Sequence, residues 1–234
     1  MAWRAGIVVV VAAGNGGYGT PALNNPATNP FVLAVGGVDG RDTYDVADDV
    51  IPAWSSTGDS LRNPDVVAPG ASVVSTASLG SYAVEQNPTS LLNGRYLKGS
   101  GTSQSAAVVS GAVALLLEQR PALTPDQVKA LLRGTAQKLP AADVKAQGAG
   151  SLDLKRVRSA VAPSVLVARQ LWTPSTGLGS LHDSRGSAVL DMDEEAFTGE
   201  QSVIAGPWDP AAWSAAVLSG KTWSGKTWSG TDWQ

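Results

Sequence analysis

Two short stretches of the chain carry residue types that could catalyse acyl transfer. In the stretch Gly101-Thr102-Ser103, a hydroxyl residue stands at the start of an apolar run that reaches Leu117. A helix that begins there would present free backbone N–H groups and the positive end of its dipole to negative charge developing beside Ser103. An alternative stays open, because Ser and Thr are also preferred residues for capping a helix.

An amide side chain follows an apolar stretch near the beginning of the chain. The run from Ile7 to Val11 consists of five β-branched residues, which is typical of a strand buried on both faces of a parallel sheet. A Gly-Asn-Gly-Gly turn ends this run, so we expect Asn15 at the carboxyl end of the strand, where ligands of open α/β sheets bind. By itself, an asparagine at such a place is also a common turn residue.

The elements that would position these residues follow from the spacing of apolar residues, Gly and Pro. The uncharged run after Ser103 predicts a helix to about Arg120, which is apolar on all faces and therefore buried in a sizeable core. A second helix is expected with Thr124 as its cap and Pro125 in its first position. A second buried strand is predicted over 31–38, and further elements are short strands at 53–55, 65–67 and 73–75 and a hairpin over 80–98.

Taken together and in this order, the two stretches resemble those of the subtilisin-like (subtilase) serine peptidases. Gly101-Thr102-Ser103 is similar to the family's nucleophile motif, and Ala12-Ala13-Gly14-Asn15 is similar to its oxyanion-hole motif. Further segments fall in the family's order at 25–39, 54–58, 65–70 and 148–153. The resemblance covers about residues 5 to 160, which is roughly the second half of a subtilase domain.

This resemblance implies both a fold and a function. The fold would be α/β, a three-layer, parallel-sheet subtilisin-like fold that is incomplete at the N-terminus. The activity would be that of a serine endopeptidase, with Ser103 as the nucleophile and with Asn15 and the Ser103 backbone N–H forming the oxyanion hole. The resemblance also places Gly14 and Thr102 in substrate binding, implies a polypeptide substrate, and gives no reason to expect a cofactor or a metal.

The general base of such an enzyme has no counterpart in the expected place. The family's Asp and His motifs precede the oxyanion asparagine, whereas the only histidine of this chain is His182. His182 and its neighbour Asp183 are expected to be an ordinary solvated pair. The sequence therefore predicts a peptidase fragment that is inactive alone, or alternatively a catalytically inactive subtilase remnant that acts as a binding or surface-attachment module. A third possibility, an α/β-hydrolase esterase, fails because Ser105 replaces the last Gly of the Gly-x-Ser-x-Gly motif.

Composition excludes several other classes of protein. The chain has 234 residues, a formal net charge of −3 and no cysteine. The small net charge gives no indication of binding to nucleic acid or to an anionic membrane surface. Disulfides and thiolate metal sites are excluded, and no apolar run is long enough for a transmembrane helix. The aspartates between 39 and 49 lack the ligand spacing of an EF-hand and are expected to form a solvated acidic loop.

The beginning of the chain imitates a signal peptide, with a basic residue before an apolar patch. Because its β-branched residues suit a strand better, we expect no signal peptide here. Residues 2–6 instead resemble the last turn of a helix that Gly6 ends, from which we expect that the sequence is truncated upstream. For the complete protein, the family resemblance implies an extracellular or cell-surface location.

The chain changes character after the predicted peptidase segment. We predict a partial subtilase domain over 1–162, followed over 163–234 by a linker and a low-complexity, Trp/Ser/Gly-rich tail that is largely disordered. Val165–Trp172 could add one strand. The repeated Lys-Thr-Trp-Ser-Gly units suggest contact with a cell surface or a polymer. The stretch Gly220–Thr227 matches the P-loop pattern, but no strand precedes it, so nucleotide binding is rejected.

Overall fold

The computed structural model describes two compact units, 1–171 and 172–234, which are treated separately below. The described residues are 2–19, 22–59, 61–173, 176, 178–184, 191–192, 195–196, 198–202, 206–219, 221–223 and 228–229.

A parallel sheet forms the centre of the first unit. Its strands are β1 (Val10–Ala12), β2 (Leu33–Val38) and β3 (Val66–Pro69), in the order β1-β2-β3. All six residues of β2 are buried, as expected for a central strand with layers on both faces. The three strands confirm the predicted parallel sheet, although β1 is shorter than its β-branched run.

The strand predicted over 53–55 is wrong. The chain forms a turn there, in which the Ser55 N–H donates to the Pro52 carbonyl at 2.9 Å. The Ser55 hydroxyl accepts a hydrogen bond from the Gly37 N–H in β2. This segment therefore contacts the sheet through a side chain rather than by strand pairing.

Helices cover one face of the sheet. The helix α2 (Thr102–Gln119) packs on all three strands, and α3 (Pro125–Thr135) and α5 (Leu154–Ser159) join the same apolar core. The predicted beginning of α3 is confirmed, since Thr124 and Gln127 form a reciprocal capping box. The expectation that α2 is buried on all faces is wrong. Within the described residues only one face is covered, and Leu115 on the other face is 61% exposed.

The opposite face of the sheet carries loops and the short helix α4 (Val144–Gln147). Val38 and Val67 pack there against Leu139, which is 1% exposed. Helices, sheet and this third layer give the α/β architecture that the sequence predicted.

The segment between the sheet and α2 contains a small antiparallel sheet. Its strands are β4 (Val73–Thr76), β5 (Leu91–Leu92) and β6 (Tyr96–Gly99), in the order β4-β6-β5. The pairing of β5 with β6 confirms part of the predicted hairpin. The helix α1 (Tyr82–Gln86), which was not predicted, lies between β4 and β5. Three 3₁₀ turns complete the described part of this unit, at Ala2–Ala5, Gly17–Gly19 and Pro88–Ser90.

The suggested strand over 165–172 is also wrong. Val165–Ala168 forms the helical turn α6, where the Ser164 hydroxyl accepts from the Val167 N–H at 3.3 Å. A local cap of this kind favours helix over extended backbone.

The second unit contains short elements and one longer helix. Asp209 caps the helix α8 (Pro210–Leu218), and the indole rings of Trp208 and Trp213 lie 4.8 Å apart between centroids. The other elements are α7 (Leu181–Ser184) and three antiparallel pairs: β7 (Asp191–Met192) with β8 (Glu195–Ala196), β9 (Gln201–Ser202) with β10 (Gly206–Pro207), and β11 (Thr222–Trp223) with β12 (Trp228–Ser229).

Much of the repetitive tail, including most of the P-loop-like stretch, lies outside the described residues. The predicted disorder of 163–234 and the domain boundary at 162 stay predictions. No helix in the described part of the chain is long and apolar enough to cross a membrane.

Candidate active site

The carboxyl end of the parallel sheet brings together the segments that the sequence singled out. The turn at 14–17 follows β1, Gly70 follows β3, and α2 begins at Thr102 with Gly101 as its N-cap. The Gly101 N–H donates to the Gly70 carbonyl at 2.9 Å, which ties the entrance of α2 to the end of β3. The helix therefore points its N-terminus at the edge where the strands end.

Asn15 is connected directly to the first residue of α2. Its side-chain oxygen Oδ1 accepts from the Thr102 backbone N–H at 2.9 Å and from the Thr102 hydroxyl at 3.0 Å. The same hydroxyl accepts from the Gly14 N–H at 3.2 Å. Thr102 is fully buried, whereas Asn15 and Ser103 are exposed. Thr102 thus joins the predicted amide to the residue beside the predicted nucleophile.

Near the N-terminus of α2, these contacts leave two hydrogen-bond donors without a partner among the described residues. Oδ1 of Asn15 is bound to Thr102, which leaves the Nδ2 group of the same amide for another partner. Within the part of the chain that the structure describes, neither Asn15 Nδ2 nor the Ser103 N–H has a hydrogen-bond partner. An unpaired N–H in the first turn of a helix is suited to an anion or a developing negative charge.

Glycine is required at two places around this pair. Gly14 has φ +115°, and a Cβ there would lie 2.6 Å from the side chain of Asn24. A Cβ on Gly101 would lie 2.9 Å from Gln104 Oε1 and 3.3 Å from Asn15 Nδ2. A side chain at Gly14 would also meet the Ser56 hydroxyl, and one at Gly101 would meet Asn15 itself, so either would disturb the arrangement around Asn15.

Comparison with known proteins identifies the family of the chain. A model of the subtilase family, Peptidase_S8, matches residues 1–150, which is more than half of the chain. The chain belongs to the subtilase family.

Several named subtilases align with the same region. Serine protease AprX of Bacillus subtilis is 37% identical over 155 residues, covering 65% of this chain and 35% of AprX. Subtilisin DY of Bacillus licheniformis is 37% identical over 140 residues, covering 59% of this chain and 42% of that protein. The chain therefore spans less than half the length of these relatives.

Solved structures of subtilases also resemble this fold. Fervidolysin from Fervidobacterium pennivorans, a keratinolytic enzyme related to subtilisin, aligns with a TM-score of 0.56 at 30% identity. That alignment covers 70% of this chain and 24% of the fervidolysin chain. The prenylagaramide maturation protease PagA aligns with a TM-score of 0.51 at 25% identity, covering 67% of this chain and 51% of PagA.

A second group of residues in this subtilase holds the backbone of the Asn15 turn by hydrogen bonds. The Ser56 N–H donates to the Gly14 carbonyl at 2.9 Å, and the Ser56 hydroxyl accepts from the Gly16 N–H at 3.0 Å. The Gly17 N–H donates to the Trp54 carbonyl at 3.0 Å. Sequence analysis gave these residues no role. Their only signal was that the segment 54–58 falls in the order of the subtilase motifs.

The predicted substrate-binding residues use their polar groups inside the protein. Gly14 donates its N–H to Thr102 and accepts at its carbonyl from Ser56, and the Thr102 hydroxyl bonds to Asn15. Their contact with substrate stays a prediction.

The single histidine belongs to the second unit. His182 is exposed, and its Nδ1 accepts from the Gly199 N–H at 3.1 Å.

In the first unit, the pKa of Asp49 in the acidic loop is raised by burial and by the nearby Asp48, Asp39 and Asp45. Among the described residues, no group of three or more His, Cys, Asp or Glu side chains could hold a metal ion.

The amino end of the sheet carries a buried ionic cluster instead. The Asp65 side chain is 1% exposed, and its Oδ2 lies 2.8 Å from Arg62 and 3.2 Å from Lys129 Nζ. Oδ2 also accepts from the Ala34 N–H at 2.8 Å, which fixes the beginning of β2. Burial lowers the pKa of Lys129 from 10.5 to about 8, although the negative charge of Asp65 opposes the change.

Proposed function

We propose that this chain carries the nucleophile and the oxyanion hole of a serine endopeptidase. The observation that supports this most strongly is the pair of unpartnered donors beside Ser103. Thr102 holds the side-chain oxygen of Asn15, and neither Asn15 Nδ2 nor the Ser103 N–H has a hydrogen-bond partner among the described residues. Two fixed donors at the start of a helix are the arrangement that stabilises a tetrahedral oxyanion.

The proposed reaction begins when Ser103 Oγ attacks the carbonyl carbon of a peptide bond. Its proton passes to a general base, and the carbonyl oxygen becomes an oxyanion that accepts hydrogen bonds from Asn15 Nδ2 and the Ser103 N–H. Collapse of the tetrahedral intermediate expels the amine and leaves an acyl group on Ser103. Water then releases the acyl group by the reverse sequence.

The general base is the group that this chain does not place before Asn15. Its only histidine is His182, far beyond Ser103 in sequence. We therefore propose that the chain as given is inactive alone. The same observation favours a second candidate function, in which a catalytically inactive subtilase remnant acts as a binding or surface-attachment module.

The proposed substrate is a polypeptide, since the relatives are named as proteases. An extracellular or cell-surface location, and contact of the Trp-rich tail with a surface or polymer, belong to the same proposal.

An external base tests the proposal on the chain as it is. The purified chain is incubated with a fluorophosphonate, with and without imidazole, and the modified residue is mapped by mass spectrometry. Imidazole would accept the proton of Ser103 Oγ while the Oγ–P bond forms and fluoride leaves. We expect modification of Ser103 that increases with imidazole, because a general base contributes about 10²–10⁴-fold to rate.

Ser110 is a matched internal control on the same helix. Ser110 is also exposed, but its hydroxyl donates to the Ala106 carbonyl at 2.7 Å. It lies in the middle of α2, away from the free N–H groups of the first turn. Modification of Ser103 but not Ser110 supports the peptidase site. Equal modification of both, or none at Ser103 with imidazole present, contradicts it and favours the binding module.

A further inference from the structure

Ser56 holds the backbone on both sides of Asn15. Its N–H donates to the Gly14 carbonyl at 2.9 Å, and its Oγ accepts from the Gly16 N–H at 3.0 Å. One residue thus binds the residue before and the residue after the oxyanion amide. Ser56 is fully buried, whereas Asn15 is exposed.

The turn that carries Asn15 depends on such external support. It has the sequence Gly-Asn-Gly-Gly, and glycine-rich backbone has many accessible conformations. Thr102 fixes the side-chain oxygen of Asn15, but the direction of Nδ2 also depends on where the backbone lies. A displacement of about 1 Å at a catalytic group can cost about 100-fold in rate.

We propose that Ser56 is a positioning residue for the oxyanion donor Asn15, an inference that rests on the proposed peptidase function. The Ser56 Oγ lies only 2.9 Å from where a Cβ of Gly14 would be, so the glycine backbone and the small hydroxyl side chain pack closely. Ser56 acts through Asn15 and does not touch the substrate.

The neighbouring Ser55 provides a matched control. It is equally buried, and its Oγ also accepts from one glycine N–H at 3.0 Å. That glycine is Gly37 in β2 rather than a residue of the Asn15 turn. Replacing either serine by alanine removes one buried hydroxyl and one hydrogen bond of the same kind, so a general structural effect should be similar in both variants.

The test compares Ser56→Ala with Ser55→Ala in the 234-residue chain. The first measurement is the NMR signal of the Asn15 side-chain amide, assigned by its loss in Asn15→Asp. The second is the saturable rate of fluorophosphonate modification at Ser103 in the presence of imidazole. For Ser56→Ala we expect a shifted or broadened Asn15 amide signal and a maximal rate that is about 10–100-fold lower, with the half-saturating probe concentration unchanged. For Ser55→Ala we expect neither change.

The proposal is overturned if both variants change these quantities equally, or if Ser56→Ala leaves the Asn15 signal unchanged. If the chain without substitutions does not react at Ser103, the proposed function fails. The NMR comparison still decides whether Ser56 positions Asn15. If Ser56→Ala does not fold, the alternative measurement is hydrogen exchange of the Gly16 N–H in the chain without substitutions. Protection of that N–H supports the proposal, and exchange as fast as in an unstructured peptide overturns it.

Discussion

The two ends of the parallel sheet use polar groups in opposite ways. At the carboxyl end, the side chains of Ser103 and Asn15 are neutral and exposed, and two donors have no partner among the described residues. At the amino end, the buried carboxylate of Asp65 is paired with the cationic side chains of Arg62 and Lys129 and accepts a hydrogen bond from a backbone N–H. A charge removed from water needs close partners, whereas a donor at the surface can stay unpaired because water or a ligand satisfies it. We infer that the charged groups at the amino end must stay paired for the fold to be stable, and that the carboxyl end is free for chemistry.

Removing the buried carboxylate should give the largest effect. Asp65→Ala leaves Lys129 buried without its nearest counter-charge, so we expect a loss of about 3–5 kcal/mol in the free energy of unfolding. Chemical denaturation measures it. Arg133→Ala is the control, because Arg133 is 55% exposed and lies 3.8 Å from Asp65, and an exposed pair contributes about 1 kcal/mol or less. Equal losses in the two variants would contradict the contrast between the ends.

Removing the side-chain amide of Asn15, the proposed oxyanion donor, should lower the rate of Ser103 modification rather than the stability of the fold. In subtilisin, a member of the same family, loss of the oxyanion-hole asparagine lowers kcat by about 10²–10³-fold. We propose the same role for Asn15 and therefore expect a loss of similar size in the imidazole-dependent modification of Ser103 in Asn15→Ala. The free energy of unfolding should fall by only about 1 kcal/mol for lost hydrogen bonds. A variant that reacts normally, or one that unfolds as readily as Asp65→Ala, would remove the distinction.

The buried Lys129 at the amino end of the sheet should also make the free energy of unfolding depend on pH in alkaline solution. Since burial lowers the pKa of Lys129 from 10.5 to about 8, the unfolded chain binds more protons than the folded chain between those values. The free energy of unfolding therefore rises with pH across this window, by about 3 kcal/mol in total. Lys129→Met should lack this rise, which denaturation at pH 7, 9 and 10.5 would show. Parallel pH profiles for both proteins would contradict the assignment.

The sequence predicted the carboxyl end far better than the amino end. The beginning of α2 and the place of Asn15 rest on local signals, namely a Gly-rich turn and a β-branched run. The Asp65 cluster depends on contacts across the chain, such as the bond from Lys129 to the Val32 carbonyl 97 residues away. Nothing in the local pattern of Lys129 distinguishes it from a solvated helix residue.

Two errors have physical causes of the same kind. The run after Ser103 is apolar all round, but apolar composition does not decide which faces find partners, and Leu115 stays exposed among the described residues. The role of Ser56 had no local signal, because serine is common in turns and its contact with Gly16 spans 40 residues.

The most direct test of the account is a crystal structure of the chain after phosphonate modification of Ser103. The phosphoryl oxygen stands in for the oxyanion of the tetrahedral intermediate. We predict that one phosphoryl oxygen lies about 2.7–3.1 Å from both Asn15 Nδ2 and the Ser103 backbone nitrogen. A phosphoryl group that points into solvent, with Asn15 Nδ2 bound elsewhere, would contradict the claim that these two donors form an oxyanion hole.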